Sequence, residues 1–96
     1  MEKARGQEIW YNLFDKLETE YDYDLDKWGF CDYEGTLGEL ADEVGIEVKP
    51  EERELVVATY ARYDSHPKGN PNVWLELNIG EWDKELWLEF NDRTDW

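Results

Sequence analysis

The sequence predicts an α+β domain, with two N-terminal helices packed on a three-stranded antiparallel β-meander. Two apolar runs near the C-terminus carry most of that prediction. Val73, Leu75, Leu77 and Ile79 alternate with Trp74, Glu76 and Asn78, and Leu86, Leu88 and Phe90 alternate with Glu85, Trp87 and Glu89. Strict alternation marks half-buried strands, and two such runs across the short polar stretch 80–84 read as a hairpin. The N-terminal run supplies the cover. Ile9, Leu13 and Leu17 recur at helical spacing with Trp10, Phe14 and Tyr21 beside them, while Glu8, Asp15, Glu18 and Asp22 fall on the other side. This predicts a helix over 2–21 that covers the aliphatic hairpin face. Each aliphatic or aromatic side chain buried there contributes about 1.5–3 kcal/mol before entropy is subtracted.

Between these ends the pattern is shorter. Tyr21 to Asp26 alternates Tyr, Asp, Tyr, Asp, Leu, Asp, which suits a short strand or extended segment. Thr36 with Glu39 three residues on forms a capping box that opens a second helix. Leu37, Leu40, Ala41 and Val44 line one face of it, and Gly45 stands where a left-handed cap ends it. Residues 54–63 are rich in β-formers and read as the third strand, which a hairpin needs for stability. If 50–63 were instead helical, starting at Pro50, the arrangement would be winged-helix-like. Residues 91–96 are expected as a tail that ends in Trp96.

Ninety-six residues make a single small acidic domain, 1–96, with no internal repeat or linker. Aromatics make up 16% of the chain, too many for the disordered class. The charge is the unusual feature. Twenty-five Asp and Glu face ten Lys and Arg, a net charge of −15, whereas small soluble domains do well at about 2 to 8 in magnitude. Nucleic acid and anionic membranes are disfavoured as direct partners, because like charges repel. A basic protein surface is favoured. The one cysteine, Cys31, excludes an internal disulfide, and no stretch is apolar enough for a signal peptide or membrane span. A cytoplasmic setting is expected.

Catalysis finds little support. The single histidine, His66, sits next to Ser65 in a loop, where the two cannot form a triad. Cys31 has Asp26, Asp32 and Glu34 nearby, which raise a thiol pKa instead of activating it; it reads as a buried, inert residue. Asp22, Asp24 and Asp26 fit the first three ligand positions of a calcium loop, but Lys27 and Tyr33 occupy places where glycine and a bidentate glutamate belong. Neither a metal nor a cofactor is expected. Leu40, Ala41, Gly45 and Ile46 resemble the first helix and turn of a helix-turn-helix unit. The next residues, Glu51, Glu52, Arg53 and Glu54, would repel DNA rather than hold it.

What remains is the acidic surface. From Asp15 to Glu54 fifteen carboxylates face only Lys16, Lys27, Lys49 and Arg53. In an extended segment Asp22, Asp24 and Asp26 would form a row spaced about 6.6–6.8 Å, similar to successive phosphates. Trp74 and Trp87 stand among Glu76, Glu85 and Glu89 on the polar hairpin face, an arrangement suited to an arginine-rich partner. The expected partner-binding residues are Asp22, Asp24 and Asp26, with Glu76, Trp87 and Glu89 as a second patch. The expected function is non-catalytic. It is an inhibitor that mimics nucleic-acid charge and occludes the basic channel of a nuclease or other nucleic-acid-handling protein. Small acidic antirestriction and anti-CRISPR proteins of phages act this way as a class, as do immunity proteins against nuclease toxins. The alternative is a structural or regulatory interaction module, monomeric or homodimeric through the outer hairpin face.

Overall fold

A computed structural model describes residues 2–65, 71–80 and 88–93, with side chains for 2–63 and 73–80. Helix α1 spans Lys3–Thr19, helix α2 Leu25–Trp28 and helix α3 Leu37–Val44. Strand β1 spans Asp32–Thr36, β2 Val56–Ser65, β3 Pro71–Gly80 and β4 Leu88–Arg93. The four strands form one antiparallel sheet in the order β1-β2-β3-β4. The expected α+β class and meander are present as β2-β3-β4. The sheet also gains β1, a strand the sequence reading did not assign.

The alternation of β3 works as expected. Val73, Leu75, Leu77 and Ile79 are buried on one face, level with Tyr63, Ala61, Thr59 and Val57 of β2. Against this face lie Ile9, Trp10, Leu13 and Leu17 of α1, joined by Leu25, Trp28, Leu37 and Leu40. Trp10 stacks on Phe14 at 5.1 Å and donates its indole N–H to the Leu75 carbonyl at 3.0 Å. That bond satisfies the one polar atom the ring carries into the core. Buried Thr59 is satisfied likewise, its hydroxyl donating to the Phe30 carbonyl at 2.7 Å.

Helix α3 begins and ends where its caps require. Thr36 Oγ1 accepts from the Glu39 N–H at 3.3 Å. Gly45 adopts φ 81, with its N–H on the Ala41 carbonyl. The capping box forms only by half, because the Glu39 carboxylate accepts from the Tyr33 hydroxyl at 3.1 Å.

Several expectations are corrected. Residues 50–63 are not helical, since only Pro50–Glu52 forms a 3-10 turn before β2 begins. The winged-helix alternative therefore falls, and α3 is followed by no second helix of a helix-turn-helix pair. Asn91 to Arg93 are not tail but strand, in register with Glu76 to Trp74. The helix predicted over 2–21 stops at Thr19, where the chain turns through Asp22 and Tyr23, at φ 50 and 58. His66, the hairpin turn with Trp87, and Trp96 lie outside the described residues. Among the described residues no helix is long and apolar enough to cross a membrane.

Candidate partner-binding surface

The extended aspartate row does not form. Tyr21–Tyr23 is a turn and α2 begins at Leu25, so the three aspartates occupy three different backbone settings. Asp22 is exposed at a left-handed position. Asp24 is the N-cap of α2, its Oδ1 accepting from the N–H groups of Asp26 and Lys27 at 3.1 and 3.2 Å. Asp26 is exposed in the first helical turn. The physical reason is capping. An aspartate that satisfies two orphan helix donors is worth more locally than one held in an extended run. Tyr63 fixes the turn from β2, its hydroxyl accepting from Leu25 N–H at 2.9 Å and donating to the Tyr23 carbonyl at 2.7 Å.

The second expected patch lies partly outside the described residues. Glu76 is half-buried on the sheet face turned away from the helices, where it accepts from Asn78 Nδ2 at 3.1 Å. Trp74 is half-buried two residues earlier on that face. Glu89 holds the β4 position in register with Asn78, while Trp87 lies outside the described residues. The same face carries Tyr60, 44% exposed, with the Arg62 guanidinium 5.9 Å from its ring centroid.

The residues that do come together lie along β1. Asp32 and Glu34 are exposed on its outward face. Tyr33, on the inward face, donates its hydroxyl to Glu39. Burial and the charges of Glu39 and Glu43 push the Tyr33 phenol pKa up. Burial chiefly, and the charge of Asp26, push the Cys31 thiol up as well; Cys31 is half-buried rather than fully buried. Carboxylates of α2, β1 and α3 thus converge on one sheet edge. The sequence held the signal, since Asp32, Glu34 and Thr36 alternate with Tyr33 and Gly35. The alternation lacks the aliphatic residues that mark a buried strand, so the sequence alone does not assign it.

Cations are treated differently. Arg5 grips Glu52 through Nε and Nη2, each at 2.8 Å, and reaches Glu8 at 2.6 Å. Hydrogen bonding from Arg5, aided by the Lys49 N–H, holds the Glu52 carboxyl down at about 2. Lys16 pairs with Glu20 at 2.7 Å, and Arg53 with Asp42 through two bonds of 3.1 and 2.6 Å. A cleft of about 290 Å³ beside Arg5 and Glu8 is lined also by Asn12, Glu47, Val48 and Lys49. Among its lining groups Arg5 pairs with Glu8, and no Ser, Thr, Cys or His lines it. Among the described residues no group of three His, Cys, Asp or Glu side chains is placed to hold a metal ion. No family model, curated protein or solved structure matches the chain.

Proposed function

We propose that the protein is a non-catalytic, cytoplasmic binding protein whose acidic surface docks on a basic protein, with a nuclease or other nucleic-acid-handling protein as the partner class. The observation that carries this reading is the exposed acidic stretch at β1, set beside carboxylates that are paired within the fold. Arg5, Lys16 and Arg53 are each held by carboxylates, so they neutralise Glu52, Glu20 and Asp42 locally. Asp26, Asp32, Glu34 and Glu43 around β1 are exposed and contribute to the net charge of −15, as do exposed carboxylates elsewhere such as Asp15, Glu18 and Glu47. Such a surface steers association with a cationic groove and occludes it sterically, as an antirestriction, anti-CRISPR or immunity protein would. Phosphate mimicry now rests on this β1 edge, because Asp22, Asp24 and Asp26 do not share one line.

The test is capture from lysate by the immobilised protein at about 0.05 M salt, followed by elution at about 0.5 M, where the Debye length has fallen several-fold. Basic nucleic-acid enzymes should elute, and the folded Asp32→Lys/Glu34→Lys variant should not retain them. Equal capture by the reversed variant would refute the assignment of docking to β1. A second reading, a homodimeric module, is favoured by Tyr60 and Trp74 on the helix-free sheet face. Sedimentation that reports a monomer at every concentration would remove it.

A further inference from the structure

The acidic edge is also an unfinished hydrogen-bond ladder. Among the described residues strand β1 pairs only with β2, in the register Asp32↔Tyr60, Tyr33↔Thr59, Glu34↔Ala58. At its two ends the Ala61 N–H donates to the Cys31 carbonyl at 2.9 Å, and the Leu37 N–H to the Leu55 carbonyl at 2.8 Å. In an antiparallel ladder the hydrogen-bonded pairs alternate. Those two bonds therefore assign Cys31, Tyr33, Gly35 and Leu37 to the set facing β2. The N–H and C=O groups of Asp32 and Glu34 face the other way, into the free edge. The Thr36 carbonyl on that same side accepts from the Tyr33 hydroxyl at 3.4 Å, which ends the open stretch at Glu34.

We propose that this edge accepts an extended basic segment of the partner as an added antiparallel strand. The inference rests on the acidic-docking reading and names the form the partner takes. Main-chain groups of Asp32 and Glu34 provide the pairing, and side chains select the sequence. On the outward face an added strand sets residues about 4.5–5.5 Å from Asp32 and Glu34, the distance at which an opposite charge stabilises and a like charge destabilises. On the inward face it meets Tyr33, with Glu39 on its hydroxyl and Glu43 adding charge to the same spot. The outward positions of the guest strand therefore favour arginine or lysine, and the inward positions a residue that packs on the Tyr33 ring. A second copy of the chain is disfavoured, because its own edge would set carboxylates against carboxylates. The charge that prevents self-association is thus the charge that admits a basic strand.

The test uses the full isotope-labelled chain and three capped eight-residue peptides alternating Arg and Val. The first is unmodified, the second is N-methylated at every Arg, and the third at every Val. An antiparallel strand whose arginines sit beside Asp32 and Glu34 pairs through its Arg N–H groups. The second peptide should therefore bind at least about tenfold more weakly than the first, since it loses that pairing. The third should match the first within about twofold. Amide exchange at Asp32 and Glu34 should slow on binding of the first and third. Equal binding by all three, with exchange unchanged, would overturn strand addition and leave the acidic-docking reading standing. Failure of all three to bind at low salt would overturn both.

Discussion

Two acidic corners of this molecule use the same residue types to opposite ends. Where α1 meets Pro50–Glu52, the buried carboxylate is answered: Arg5 bonds Glu52 and Glu8, and the Lys49 backbone N–H donates to Glu52. Along β1 the carboxylates of Asp32 and Glu34 stand exposed, with main-chain groups open beside them. The first corner holds α1 against the rest of the fold. The second adds little to the fold and sets the electrostatic character of the surface. Net charge alone does not distinguish them; burial and pairing do.

The largest expected effect lies at the closed corner. Glu52→Ala leaves the Arg5 guanidinium partly buried and half-answered, and should cost about 3 kcal/mol of unfolding free energy, read by urea titration. Binding to a basic partner should be unchanged. A loss below about 0.5 kcal/mol, the scale of an ordinary surface substitution, would mean that the corner is not structural.

The same pair sets an acid limb. Glu52 is held down at about 2 from an ordinary 4.5. Its contribution is complete above about 4.5 and is lost as pH falls through about 2. Unfolding midpoints should decline over that window in the wild type, and less steeply in Glu52→Ala. Parallel declines would show that other groups carry the limb.

Gly35 sharpens the contrast from the β1 side. A Cβ there would lie within contact distance of the Tyr33 ring, 2.7 Å from its Cζ. Gly35→Ala should displace Tyr33 from Glu39 and cost about 1–3 kcal/mol, as overpacking does. Tyrosine absorbance titration should show the phenol pKa returning toward its ordinary value of 10.0. The smallest effect belongs to the open corner. Asp32→Lys and Glu34→Lys should each change stability by no more than about 0.5 kcal/mol in thermal melts. A larger loss would make these carboxylates part of the scaffold.

The fold was legible where apolar periodicity was strong. The β3 alternation and the α1 stripe gave strand, helix and packing partner, and Thr36 with Gly45 bounded α3 within its caps. Tyr21 to Asp26 misled because alternation in sequence was overridden by local hydrogen bonding. Asp24 caps α2, and Tyr63, far away in sequence, clamps the left-handed turn. Strand β1 was overlooked because its alternating residues are Asp, Tyr, Glu and Gly, whose strand character comes from pairing with β2 and not from their own propensity.

By itself the sequence determined the charge, the two faces of β3 and the helix that covers one of them, because these follow from residue identity and spacing. Which carboxylates are spent inside the molecule and which are left facing out was decided only in three dimensions. That choice depends on distances between residues far apart in the chain: Arg5 to Glu52, Tyr33 to Glu39, and Asp32 across from Tyr60.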